Sequence, residues 1–305
     1  LRIGTRGSPL ALAQANWVKA RVEACVPGVA VDLDVMVTSG DRFGGNLGAV
    51  GGKGLWVKEI EDALLDGRID LAVHSMKDLP ILIPEGLAVS AVPVRADPRD
   101  VLVGLPAGST GLEALPTGAR VGTTSLRRRA QVLALRPDAR IVEIRGNVGT
   151  RLRKCRDGVC DVAIVAAAGL ERLAIGVSIG TALDADSFVP AVGQGALALE
   201  TRAGDQRVCG MLQGLHDDTA SRRVAAERAF LTALGGDCMT PIAAHAVIDD
   251  GILRLTGLVA ALDGTEMLRE DASGPASAPE AVGEGLAARL RARGADDLLA
   301  RVQGR

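Results

Sequence analysis

The sequence predicts an α/β protein: two doubly wound, mainly parallel domains around a cleft, and a smaller α+β domain after them. Three observations carry this. Over the first two thirds, short apolar runs alternate with amphipathic stretches, the order that builds parallel sheets with covering helices. Residues 91–98 and 188–195 read as crossings between two such domains, and two crossings make a hinge around a cleft, where ligands commonly bind. The last third changes to a long helix, consecutive strands and a final helix. The expected domains are residues 1–95 with 195–214, residues 99–190, and residues 218–305.

In chain order, the apolar runs at 1–4, 31–37, 69–74 and 87–92 read as strands. A helix over 9–23 starts with Ser8 as N-cap and Pro9 in the first helical position, where its missing N–H leaves no intrahelical bond unmade. A second helix is expected over 55–65. The next domain repeats the pattern, with strands at 101–103, 121–123, 141–144 and 161–165 and helices at 125–135 and 150–156. In the last third a helix over 219–234 precedes strands at 242–248, 252–259 and 266–270, then a helix over 281–293. Asp249-Asp250-Gly251 and Asp263-Gly264 supply the turns between those strands.

The 305 residues carry a net charge of -2 and are 48% hydrophobic, a composition of soluble domains with sizeable cores. Aromatic residues make up 2%, with no Tyr, so the stacking platforms of single-stranded nucleic-acid binders are missing. A duplex reader built on arginine is the nucleic-acid alternative left. Five cysteines without a C-x-x-C pair imply a reducing compartment, no disulfide framework and no zinc site. His74, His216 and His245 are scattered, so no metal site is expected. No apolar run approaches the ~18 residues of a membrane span, and no signal-peptide pattern opens the chain. The expected protein is cytoplasmic and without nucleic-acid or membrane partners, and no long apolar edge or heptad argues for an oligomer.

The most telling feature is a cluster of cations where helices should reject them. Between Arg120 and Arg156 stand eleven basic residues against two acidic ones, Asp138 and Glu143. Ser125 reads as the N-cap of a helix beginning Leu126-Arg127-Arg128-Arg129. Thr150-Arg151-Leu152-Arg153-Lys154 reads as another helix start, after the turn 145–149. A helix N-terminus is already partly positive, so cations in its first turn are unfavourable unless an anion sits there. Basic residues also mark the junctions Thr5-Arg6-Gly7-Ser8-Pro9 and Gly51-Gly52-Lys53-Gly54. The latter is not a Walker loop, because position 47 is Leu and no Ser or Thr follows Lys53. Arginine prefers planar oxyanions, so carboxylates or phosphates are the expected ligands.

Two further residues stand out. Asp78, in His74-Ser75-Met76-Lys77-Asp78-Leu79-Pro80, follows an apolar strand, at the end where α/β folds place their sites. It reads either as a turn residue or as a group that moves protons and stabilises a cation. Cys238, in Gly235-Gly236-Asp237-Cys238-Met239-Thr240-Pro241, reads either as a small packed residue or as a loop thiol able to bond covalently. A two-lobed anion-binding protein without chemistry would explain the hinge and the basic helix starts, but neither the Lys77-Asp78 pair nor Cys238 in a third domain.

Together these segments closely resemble the porphobilinogen deaminase family, also called hydroxymethylbilane synthases, from Arg2 to about Ala246. The matching pieces are residues 3–12, 50–59, 72–80, 122–128, 145–152 and 190–196. The resemblance implies a three-domain fold whose first two domains are like those of two-lobed solute-binding proteins. It implies a transferase that joins four porphobilinogen molecules head to tail, releasing ammonia, to make the linear tetrapyrrole hydroxymethylbilane on a covalent dipyrromethane cofactor. By the same resemblance Cys238 carries that cofactor through a thioether. Asp78 protonates the leaving amine and stabilises cationic pyrroles. Lys77, Ser125, Arg127, Arg128 and Arg145 hold the cofactor, and Arg6, Ser8, Lys53, Arg151 and Arg172 hold the substrate. Many members have lysine where this chain has Ala49.

Overall fold

The computed structural model describes residues 1–42, 56–105, 108–237 and 239–302. The chain divides into two compact units, Leu1–Arg95 with Ala196–Ser221, and Ala96–Gly195 with Arg222–Arg305. In order come β1 (Arg2–Arg6), α1 (Pro9–Cys25), β2 (Asp32–Met36), α2 (Ser39–Arg42), α3 (Lys58–Leu65), β3 (Leu71–Ser75) and β4 (Leu87–Ala91). After the first passage come β5 (Asp100–Val103), β6 (Arg120–Gly122), α4 (Leu126–Leu135), β7 (Arg140–Val142), α5 (Val148–Arg156), β8 (Val162–Ala166), α6 (Ala167–Arg172) and β9 (Gly180–Ala182). The chain then returns through β10 (Leu197–Arg202), α7 (Gln206–Leu212) and α8 (Asp218–Ala233). It ends with β11 (Ile242–Asp249), β12 (Ile252–Ala260), β13 (Met267–Pro275), α9 (Pro279–Ala292) and α10 (Ala295–Val302).

The first unit's sheet has the order β2-β1-β3-β10-β4. β1 pairs in parallel with β2 and β3, whereas β10 is antiparallel to both its neighbours. The second unit repeats the plan as β7-β6-β8-β5-β9, with β5 the antiparallel strand. In each sheet the reversed inner strand is the one that follows a passage from the other unit. Period-2 alternation decides which helix each strand meets. Leu71 and Val73 pack with Val18 and Val22 of α1, and Ala72 packs with Ile60 and Leu64 of α3. Helices therefore cover both faces, which is the doubly wound α/β architecture the sequence predicts.

The third sheet, β11-β12-β13, is an antiparallel meander. Phe230 of α8 and Leu286 and Leu290 of α9 are buried against Leu253 and Leu255, each worth about 1.5–3 kcal/mol of burial. Its other contacts run through Leu258 and Ala243 to Ala130 of α4. Gly195 (φ +88°) sits at a close approach: a Cβ there would collide with the carbonyl oxygen of Ala96.

The sequence reading misses β9, β10, α2, α6, α7 and α10. β10 is hidden because its inner residues include buried Glu200 and Thr201, which interrupt the apolar signal. β13 runs on to Pro275, past the expected end at 270. α5 starts at Val148, where Asn147 caps it by accepting from the Thr150 backbone N–H at 2.9 Å.

Candidate active site

On the first unit, the C-terminal ends of β1 and β3 and the start of α1 line a small pocket open to solvent. Ser8 caps α1 by accepting from the Ala11 N–H at 3.2 Å. Arg6, at the end of β1, is held from two sides. Its guanidinium donates to Asp41 at 2.5 and 3.2 Å, and it stacks 4.1 Å from the Trp56 ring centre. Burial acts upward on the Asp41 carboxyl, but hydrogen bonds from Arg6 and Thr38 hold it below its ordinary range. Asp78 ends a short 3-10 turn, Met76–Asp78, and is exposed at the pocket wall. The turn is tied to β10 by the Met76 N–H, which donates to the Ala196 carbonyl at 3.0 Å. Asp78, distant in sequence from the junction that carries Arg6 and Ser8, thus lines one pocket with them; Lys77 sits on the same turn.

Behind the pocket is a buried polar cluster that the sequence reading did not single out. His74 Nε2 lies 3.0 Å from Glu200 Oε2, both side chains at most 5% exposed. Glu61 on α3 is buried as well. Burial first, then the Glu200 charge, push its carboxyl up to about 7, with His74 acting downward. Gln14, also missed, lines the pocket and accepts from the Ser75 hydroxyl at 2.9 Å.

On the second unit, α4 has no acid in its first turn, and Ser125 caps it by accepting from the Arg128 N–H at 3.4 Å. The anion called for by this helix start is, in part, the chain's own Asp100. Arg127 and Arg128 are 4% and 5% exposed. Their Nη2 atoms lie 2.8 and 2.7 Å from the two Asp100 oxygens. Burial pushes the Asp100 carboxyl upward, yet the two guanidiniums hold it far below its usual range. Burial likewise lowers the Arg127 pKa, but an arginine starts so high that it stays charged. Arg129, the next cation, donates from Nε to the Leu262 carbonyl at 3.1 Å. This helix start differs from a solvated one in one respect: both arginines are interior, facing one fully buried carboxylate.

The second basic helix start is also revised. With Asn147 as cap, Arg153, Lys154 and Arg156 fall in the last turn of α5, where cations favour the helix dipole. Arg151 remains near the start, with its Nε donating to the Gly146 carbonyl at 2.9 Å. Arg145 is exposed, 3.6 Å from Glu143. Arg172 ends α6 and donates from Nη2 to the Gly195 carbonyl at 2.7 Å; burial lowers its pKa to about 10, against the pull of Glu171. Lys53 and Cys238 lie outside the described residues. Beside Cys238, the Thr240 hydroxyl donates to the Asp237 carbonyl at 2.6 Å, and the Met239 N–H donates to Asp237 Oδ1 at 2.9 Å.

These donors suit a ligand rich in carboxylates. The sharpest sign is Arg127 Nε, a buried donor with no hydrogen-bond partner among the described residues; such a group is costly unless an acceptor arrives. Of the residues not assigned a role from sequence, Glu61 and Gln14 carried no signal beyond their type, and Trp56 lay unremarked in the matching segment 50–59. Asp100 alone gave a hint, as an acid opening an otherwise apolar strand.

Residues 1–210 match the family model "Porphobilinogen deaminase, dipyromethane cofactor binding domain", and residues 221–292 match "Porphobilinogen deaminase, C-terminal domain". Among curated relatives, the porphobilinogen deaminase of Syntrophotalea carbinolica is 51% identical, covering 98% of this chain and 95% of that protein. The one from Moorella thermoacetica is 50% identical, covering 99% and 96%. The one from Syntrophobacter fumaroxidans is 48% identical, covering 99% and 97%. A solved structure, the periplasmic aliphatic sulphonate binding protein SsuA of Escherichia coli, aligns at a TM-score of 0.41 and 15% identity, covering 76% of this chain and 70% of that one.

Proposed function

The chain belongs to the porphobilinogen deaminase family, and from that premise we propose how its residues divide the work. It is a transferase, a hydroxymethylbilane synthase, that condenses four porphobilinogen molecules head to tail into hydroxymethylbilane. Each condensation breaks a C–N bond, releases ammonia and forms a C–C bond. The dipyrromethane cofactor, when bound, supplies the pyrrole end from which the product grows. The rival reading, an anion-binding protein without chemistry, is set aside by relatives that are enzymes over nearly their full length.

In this reading Asp78 gives a proton to the departing amine and then, as carboxylate, faces the positive charge left on the substrate carbon and pyrrole. Its place on a turn anchored to β10 keeps it near the pocket that Arg6 and Ser8 also line. Arg6, Ser8, Lys53, Arg151 and Arg172 bind substrate carboxylates. Lys77, Ser125, Arg127, Arg128 and Arg145 bind those of the cofactor, whose thioether is carried by Cys238. Arginine suits this task because its planar fork matches a carboxylate with two parallel hydrogen bonds. The observation that carries the assignment is the convergence of Arg6, Ser8 and Asp78 on one pocket. Residues 218–305 form a third domain, and the protein works as a cytoplasmic monomer without nucleic-acid or membrane partners. No helix among the described residues is long and apolar enough to cross a membrane.

The deciding experiment is the denatured intact mass of the protein beside a Cys238→Ser variant. An added mass of two porphobilinogens less two ammonias, lost in the variant, supports the attachment site; an adduct that survives in the variant rules Cys238 out. Sedimentation of the native protein tests the monomer, and a dimer mass at micromolar concentration would reject it.

A further inference from the structure

Asp100 is the meeting point of both passages of the chain through the second unit. Its Oδ1 accepts from Arg128 Nε at 3.1 Å, Arg128 Nη2 at 2.7 Å and Gln194 Nε2 at 2.9 Å. Gln194 Nε2 also donates to the Pro98 carbonyl at 2.7 Å. Arg127 Nη1 and Gln131 Nε2 donate to the Val189 carbonyl at 2.7 and 3.0 Å, while the Val189 N–H donates to Gln131 Oε1 at 2.7 Å. Ala96 N–H closes the arrangement on the Gly195 carbonyl at 3.2 Å. The segments before β5 and before β10 are thus both fastened to the first turn of α4.

The charges do not cancel. One carboxylate, with no exposure, faces two guanidiniums, leaving an excess positive charge in the interior. Arg127 Nε keeps an unmade hydrogen bond. A buried cation with an unused donor is stable only if a further anion arrives or if enough internal charge holds it meanwhile. We infer that Asp100 is a positioning residue for the cofactor: it orients Arg127 and Arg128 and offsets part of their charge in the chain before priming, and leaves the remaining positive charge for a cofactor carboxylate. This rests on the reading of Arg127 and Arg128 as cofactor ligands. In this inference Asp100 acts only through the two arginines.

The test uses full-length chain from a host that makes no porphobilinogen, so that it is unprimed. Asp100→Asn preserves shape and removes the charge. After porphobilinogen is added, the gain of primer mass is followed by denatured mass spectrometry. Priming should slow by about tenfold or more, the scale seen when one partner of a buried charge pair is truncated. A second readout separates positioning from mere support. With both arginines lacking their internal anion, added sulfate should raise the thermal midpoint of unprimed Asp100→Asn more than that of the unprimed parent. Asp100→Glu, which restores the charge, should recover priming in part. Priming at the parental rate overturns the inference. So does slowed priming with equal sulfate responses, since that marks a general loss of support. If Asp100→Asn does not fold, Gln194→Met, which removes one donor to the same carboxylate, takes its place: slower priming supports the inference and an unchanged rate rejects it. The underlying reading fails separately, if Arg127→Leu and Arg128→Leu both prime at the parental rate.

Discussion

The pocket on the first unit and the first turn of α4 on the second both gather arginine, yet they treat its charge differently. Arg6 is about a quarter exposed, paired with an equally exposed Asp41 and backed by Trp56. Water screens that pair, so it contributes little to stability and its guanidinium can exchange partners. Arg127 and Arg128 are interior, held by a carboxylate with no exposure. Removing one member there leaves a charge stranded in low dielectric. The lesson is that one device, a cation at a strand-to-helix junction, stays open to exchange where solvent reaches it and becomes part of the architecture where it does not.

The largest expected effect tests the open side. Asp78→Ala should lower turnover by at least the 10²–10⁴-fold, on the order expected for a lost proton donor, with an unchanged circular dichroism spectrum because the side chain is exposed. Near-normal turnover in a porphobilinogen assay would remove Asp78 from the mechanism. Next comes the contrast itself. Arg127→Leu should cost about 3–5 kcal/mol in denaturant unfolding, as for a broken buried pair, and impair cofactor loading. Arg6→Ala should cost under about 1 kcal/mol while raising KM. Equal losses of stability in the two variants would break the comparison.

A smaller effect comes from Glu61 behind the pocket. Burial and the Glu200 charge raise its folded pKa from 4.5 to about 7. A carboxyl so shifted binds more protons folded than unfolded between those values, so its contribution to stability falls as pH rises from about 4.5 to about 7 and then levels. Glu61→Gln should therefore flatten the pH dependence and be the more stable protein above pH 7, by on the order of 1–3 kcal/mol. Unfolding curves of both proteins at pH 5 and pH 8 would check this, and a gain confined to pH 5 would contradict it. The smallest effect is at the surface: Arg156→Ala, in the last turn of α5, should move the thermal midpoint by only about a degree and leave turnover unchanged.

Much of this protein is written locally. Ser8 and Pro9 start α1, Ser125 starts α4, and alternating apolar runs give the inner strands, because caps and periodicity depend on residues within a turn or two of each other. The segments around Arg6 and Arg127 could be picked out for the same reason, cations at helix starts, and Asp78 by its place after an apolar strand. Tertiary structure decided the rest. It turned β10 and β5 against their neighbours, placed polar Glu200 inside, and brought Trp56 under Arg6. It also set Asp100 between Arg127 and Arg128, so that the cations which looked most available to a ligand already share a carboxylate. No local pattern encodes that choice, since the partner of a buried charge is whichever group the packed core places within reach, and only the folded chain brings residues 100, 128 and 194 together.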